Sequence, residues 1–121
     1  MMARVRKPPK CKEPTLPKMT EAQFQDMVIK LAKLYGWRVY HTYDSRRSVA
    51  GFPDLTLVRA KTGQLIMAEL KTDTGRQTPE QLDWMEDLSK VAACDKCTCG
   101  HFSVAIWRPR DWEFIKQTLE W

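Results

Sequence analysis

Asp54, Glu69 and Lys71 are the residues whose types and spacing suit a reaction best. Fourteen residues separate the two acids, and a single residue, Leu70, separates Glu69 from the lysine. Side chains two apart on a strand share a face, so Glu69 and Lys71 project together if residues 65–71 are extended. If the preceding strand pairs with this one as a hairpin, Asp54 converges on them. Two carboxylates on a rigid sheet edge, joined by the backbone carbonyl of Leu70, make an oxygen-ligand site of the kind Mg²⁺ uses while it keeps several waters. A lysine beside such an ion can orient or help deprotonate an attacking water and neutralise charge on a phosphorane-like transition state. The set therefore suits phosphodiester hydrolysis. Glu21 could add a further carboxylate, and Gln81 could hydrogen-bond the water or a phosphate oxygen.

Each residue also has a plainer use. An Asp after Pro at a strand entry is commonly a turn residue, Glu-x-Lys on a strand is commonly a solvated ion pair, and Glu21 and Gln81 could simply serve helix N-termini. The flanks argue against open solvent. Leu55, Leu57, Leu65, Ile66, Met67, Ala68 and Leu70 make both strands apolar on both faces, as in a covered sheet. Charges at the ends of such strands need a partner or a metal.

The elements that would position these groups are legible from periodicity. Thr20 can cap a helix with Gln23 as reciprocal partner, and Phe24, Met27, Val28, Leu31, Leu34 and Tyr35 follow one helical face to a stop at Gly36. Residues 37–43 are aromatic and β-branched and read as a strand. A polar loop from Asp44 to Gly51 leads to a second strand over 54–59, a turn at Lys61–Gly63 and a third strand over 65–71, with the last two predicted to pair as a hairpin. Residues 72–77 read as loop. Thr78 and Pro79 then open a helix with Gln81 in the reciprocal capping position and Leu82, Met85 and Leu88 on its apolar face, ending near Ala92 or Ala93. A last strand is predicted over 102–107, and Asp111 is expected to cap a closing helix that packs Trp112, Ile115 and Leu119 inward. The order αβββαβα predicts an α/β fold with a mixed central sheet flanked by helices.

The chain of 121 residues has room for one domain. Its formal charge of +5 sits entirely in residues 1–18, where six basic side chains face Glu13 alone; the remainder carries fourteen of each sign. Four of the seven prolines lie in the same stretch, so it reads as a flexible basic arm ahead of a folded domain over 19–121. A transit peptide would be richer in serine and more amphipathic. No window approaches the roughly 18 apolar residues of a membrane span, and no secretory run is evident at the N-terminus. Five tryptophans are expected to supply large buried areas to a small core. Cys94, Cys97 and Cys99 are too closely spaced for a spread disulfide framework, which favours a reduced, cytoplasmic setting.

At the residues singled out above, the sequence resembles the PD-(D/E)XK nuclease superfamily, with Pro53-Asp54 and Glu69-Leu70-Lys71 in an αβββαβ frame. Within that superfamily GFPDLTL (51–57), AELK (68–71), TPEQLDWM (78–85) and VAIWRPRDW (104–112) are similar to VRR-NUC domains of phage and repair nucleases, over about residues 20–119. The resemblance implies a restriction-endonuclease-like core and an Mg²⁺- or Mn²⁺-dependent endonuclease related to Holliday-junction resolvases. By position it makes Glu21 the first-helix acid, Asp54 and Glu69 the metal carboxylates, Lys71 the catalytic lysine and Gln81 the glutamine of the following helix. It also implies DNA as partner, branched or otherwise structured, and a homodimer.

One stretch departs from the family pattern. Cys94, Cys97, Cys99 and His101 offer four zinc-type ligands where a short turn would join helix to strand, and with Gly100 they could wrap a structural Zn²⁺; the alternative is an exposed loop of reduced thiols. Arg46, Arg47 and Arg76 are the candidate DNA contacts, with Arg108 and Arg110 also placed to hold phosphates. Nothing in the sequence reads bases, so shape recognition is expected. Two further readings stay open: a non-catalytic DNA-binding or scaffold protein on the same fold, and a sequence-specific restriction-type nuclease.

Overall fold

A computed structural model describes residues 18–43, 49–93 and 101–121. The proposed basic arm, apart from Lys18, lies outside these residues.

Helix α1 (Glu21–Leu34) begins with the reciprocal cap that the sequence predicts: the Gln23 N–H donates to Thr20 Oγ1 (3.1 Å) and the Thr20 N–H donates to Gln23 Oε1 (2.9 Å). Two otherwise orphaned N–H groups are thereby satisfied. Gly36, at φ 86°, turns the chain into β1 (Arg38–His41). The strand is shorter than the predicted 37–43 because its flanks have other uses. Trp37 is buried, and its Nε1 donates to the Leu119 carbonyl (2.8 Å). Thr42 donates from its N–H to Asp54 O and from its hydroxyl to Pro53 O, both at 2.8 Å.

Strands β2 (Leu55–Arg59) and β3 (Gln64–Leu70) form the predicted hairpin, with Leu55 opposite Ala68 and Arg59 opposite Gln64. Helix α2 (Pro79–Ala92) carries the chain to β4 (Phe102–Trp107), which runs parallel to β3. The sheet order is β1-β2-β3-β4, antiparallel except for the last pair, so the sheet is mixed. A short 3₁₀ turn (Pro109–Asp111) precedes helix α3 (Trp112–Glu120). Asp111 stands at the predicted N-cap position of α3, but its side chain makes no capping hydrogen bond to the helix. Its Oδ2 accepts the Arg108 N–H (3.0 Å), because Pro109 starts a tighter turn before the helix.

One face of the sheet carries the core. Leu55, Leu57, Ile66, Ala68, Leu70 and Trp107 pack with Phe24, Val28 and Ala32 of α1 and with Ile115 and Leu119 of α3. Each large side chain buried there contributes about 1.5–3 kcal/mol of transfer free energy. The tryptophans are used less uniformly than composition suggests: Trp37 and Trp107 are buried, Trp84 and Trp112 are half-buried, and Trp121 is 84% exposed. Arg59 is buried, and among the described residues it pairs with no carboxylate. It donates to Leu119 O (2.9 Å) and Gln64 Oε1 (2.6 Å) and lies 4.5 Å from the Trp37 ring centroid, which ties the ends of α1 and α3 to the sheet. Among the described residues, no helix is long and apolar enough to cross a membrane.

Candidate active site

The hairpin places the start of β2 beside the end of β3, so Asp54 stands next to the Glu69–Lys71 segment. The Leu70 N–H donates to Asp54 Oδ2 (2.7 Å), which fixes the aspartate carboxylate on the strand edge. Glu69 is fully buried. Its Oε1 accepts from Gln81 Nε2 (2.8 Å) and lies 3.9 Å from Lys71 Nζ; its Oε2 is buried with no donor. Burial pushes the Glu69 carboxyl up to about 9, helped by hydrogen bonding to the Asp54 carboxyl and by repulsion from Asp54 and Glu21, while Lys71 pulls it back. Glu21, on the first turn of α1, belongs to the same cluster. Desolvation raises its pKa most, Lys71 lowers it and Asp54 raises it.

Gln81 has two tasks. Its Oε1 accepts the Thr78 N–H (2.8 Å) in the α2 capping box, and this sets the amide so that Nε2 faces Glu69. With the oxygen committed to the cap, the amide acts as a donor that orients the glutamate, and only its remaining hydrogen is left for a water or phosphate.

Glu21, Asp54, Glu69, Lys71 and Gln81 are thus brought together. Among the described residues, however, no three His, Cys, Asp or Glu side chains form a ready-made metal-holding group. Lys71 lies among the acids, and Asp54 is turned toward the Leu70 amide. The donor chemistry nevertheless fits a hard divalent cation: the carboxylates are oxygen ligands, and Glu69 Oε2, buried without a donor, would find in a cation the compensation that otherwise falls to a retained proton facing Asp54. Arg76 is exposed on the loop after Lys71. Arg46 and Arg47, and Cys94, Cys97 and Cys99, lie outside the described residues. His101 is exposed, and its carbonyl accepts the Leu65 N–H (2.9 Å).

Three supporting contacts are not apparent from the sequence. Gly51 adopts φ 90°, and a β-carbon there would stand 2.7 Å from Gln81 N and collide with the Glu80 carbonyl. The loop before Asp54 therefore rests directly on the first turn of α2. Phe52 continues this contact by meeting Trp84 edge to face, with centroids 5.2 Å apart. The third is Arg108, which grips the loop after Lys71 through the Thr72 and Gly75 carbonyls. Gly51→Ala should combine about 1–3 kcal/mol of backbone strain with the loss of this close approach. A melting temperature lowered by roughly 10 °C is expected, and an unchanged one would show that the loop does not depend on the contact.

A four-stranded mixed sheet with acids and a lysine at the junction of its central strands defines an α/β domain of the PD-(D/E)XK nuclease type. The VRR-NUC domain model matches residues 10–98, and the chain belongs to the VRR-NUC family. A solved structure described as a VRR_NUC domain shares the fold, with a TM-score of 0.57 and 20% identity over 83% of this chain and 94% of that one. No curated protein is significantly similar to the chain. The family implies a nuclease-type function with DNA as the partner.

Proposed function

We propose that the protein is an Mg²⁺- or Mn²⁺-dependent endodeoxyribonuclease acting on branched or otherwise structured DNA in replication, recombination or repair. The observation that carries this reading is the buried Glu69 carboxylate, which has an oxygen without a donor and stands beside Asp54 and Lys71. Asp54, Glu69, Glu21 and the Leu70 carbonyl would hold the ion, which when bound supplies Lewis-acid polarisation of a phosphate oxygen. Gln81 holds Glu69 in place through its Nε2 donor. Lys71 orients the attacking water and offsets charge gathering on the phosphate. Arg76, Arg46 and Arg47 take neighbouring phosphates, and recognition proceeds by DNA shape. A reducing intracellular setting, phage or bacterial, agrees with the cysteine spacing, and a homodimer would suit a branched substrate.

The test is incubation of the full chain with duplex, flap and four-way-junction DNA in Mg²⁺, Mn²⁺ or EDTA. Preferential, cation-dependent cutting of the branched substrates supports the proposal. Binding without products favours a scaffold, and site-specific cutting of plain duplex favours a restriction-type enzyme.

Two further outcomes follow from segments outside the described residues. Removing residues 1–18 should weaken DNA binding and flatten its salt dependence while sparing turnover at saturating DNA; lost turnover would give the arm a larger role. Two alternatives are open for Cys94, Cys97, Cys99 and His101: as a structural zinc site they give about one equivalent of metal in protein purified without added zinc, and as a loop of reduced thiols they give none. Less than about half an equivalent contradicts that site.

A further inference from the structure

The loop that leaves β3 carries Lys71, and its conformation is held from a distant part of the chain. The Lys71 N–H donates to Trp107 O (3.0 Å), and the Gly75 N–H donates back to Thr72 O (3.2 Å), closing a tight turn. A β-carbon on Gly75 would stand 3.6 Å from Lys71 Cδ and 2.9 Å from Thr72 Oγ1, so this turn lies against the lysine stem. Two carbonyls of the turn are gathered by one nitrogen: Arg108 Nη1 donates to Thr72 O (2.6 Å) and Gly75 O (2.7 Å). Arg108 is itself anchored, its N–H donating to Asp111 Oδ2 (3.0 Å). The neighbouring Arg110 N–H adds a second tie, to Asp73 Oδ1 (3.0 Å).

We propose that Arg108 is a positioning residue: by bridging the Thr72 and Gly75 carbonyls it fixes the turn that holds the Lys71 side chain beside Glu69. Sequence reasoning makes it a phosphate contact. In the structure both hydrogens of Nη1 are committed to carbonyls, and the side chain is half-buried. A planar guanidinium presents paired donors in a fixed geometry, whereas a lysine offers a point charge on a flexible stem and cannot reproduce the bridge. The inference rests on the reading of Lys71 as the group at the reacting phosphate.

Arg108→Lys and Arg108→Ala in the full chain test it by amide hydrogen exchange and by cleavage kinetics. Both variants should speed exchange at the Gly75 and Lys71 amides by about tenfold or more while the sheet amides stay protected. Cleavage should lose about 10- to 100-fold in kcat, with KM and the salt dependence of binding unchanged and no rescue by lysine. A raised KM with a shallower salt dependence at unaltered kcat, full rescue by lysine, or wild-type exchange at Gly75 would each overturn the proposal. If Arg108→Ala does not fold, Arg108→Lys decides the matter. Should the wild-type chain cut no DNA with any cation, the nuclease reading fails, and the exchange measurement still decides whether Arg108 holds the loop.

Discussion

Glu69→Gln is expected to yield a folded protein whose cation-dependent cleavage falls by at least about 10³-fold, roughly 4 kcal/mol of transition-state stabilisation. The substitution keeps the size of the side chain. Its amide oxygen can accept from Gln81 Nε2 as Glu69 Oε1 does, and its new N–H₂ can donate toward the Asp54 carboxylate, where two acids now meet. Only the ability to carry negative charge is lost, and a hard cation requires that charge. The same variant should change how stability follows pH. Glu69 titrates near 9 in the folded protein, above its ordinary value of 4.5, so the folded state holds a proton that the unfolded chain releases between those limits. Wild-type stability without metal is therefore greatest below about pH 4.5 as far as this group is concerned, and declines as pH rises toward 9. Melting curves across that range should show the decline in the wild type and a flatter profile in Glu69→Gln. Parallel profiles would show that the Glu69 proton does not govern stability.

Lys71→Met is expected to remove about 10²- to 10⁴-fold from kcat while leaving DNA affinity within a few-fold of wild type. Methionine keeps an unbranched apolar stem to lie against Gly75, so packing at this buried position is largely preserved. The cation that draws down the proton affinities of both Glu69 and Glu21 is gone. Single-turnover rates at saturating DNA, measured beside equilibrium binding in EDTA, separate the two effects. A variant that binds weakly but cuts at the wild-type rate once saturated would make Lys71 a phosphate anchor instead.

The parts of this site that the sequence makes legible are those governed by local rules. The short turn at Lys61–Gly63 favours a hairpin, and in the hairpin that forms, Leu55 opposite Ala68 brings Asp54 beside Glu69. The Thr78-Pro79-x-Gln81 pattern fixes the start of α2, and with it the height of Gln81 above the sheet. Other parts depend on partners far along the chain. Arg108 reads as a phosphate contact because an arginine at a strand end usually faces solvent, yet its partners are carbonyls 33 and 36 residues earlier, which carry no sequence signal. Gly51 looks like an ordinary loop glycine until α2 is laid against it. Asp111 sits at the start of α3 as its type suggests, yet its carboxylate turns back to the Arg108 N–H because Pro109 imposes a tighter turn first. Arg59 shows the same limitation from the side of stability, since nothing in its own strand indicates that carbonyls at two helix ends will receive it.

In the proposed function, Asp54 and Glu69 hold a divalent cation with which this domain hydrolyses DNA. Cleavage of end-labelled four-way-junction DNA by the wild type and by Glu69→Gln, each with Mg²⁺ and then with excess EDTA, tests it most directly. The wild type should produce cuts only with the cation, and Glu69→Gln should produce none in either condition. Equal cutting by wild type in EDTA, or by Glu69→Gln in Mg²⁺, would contradict it.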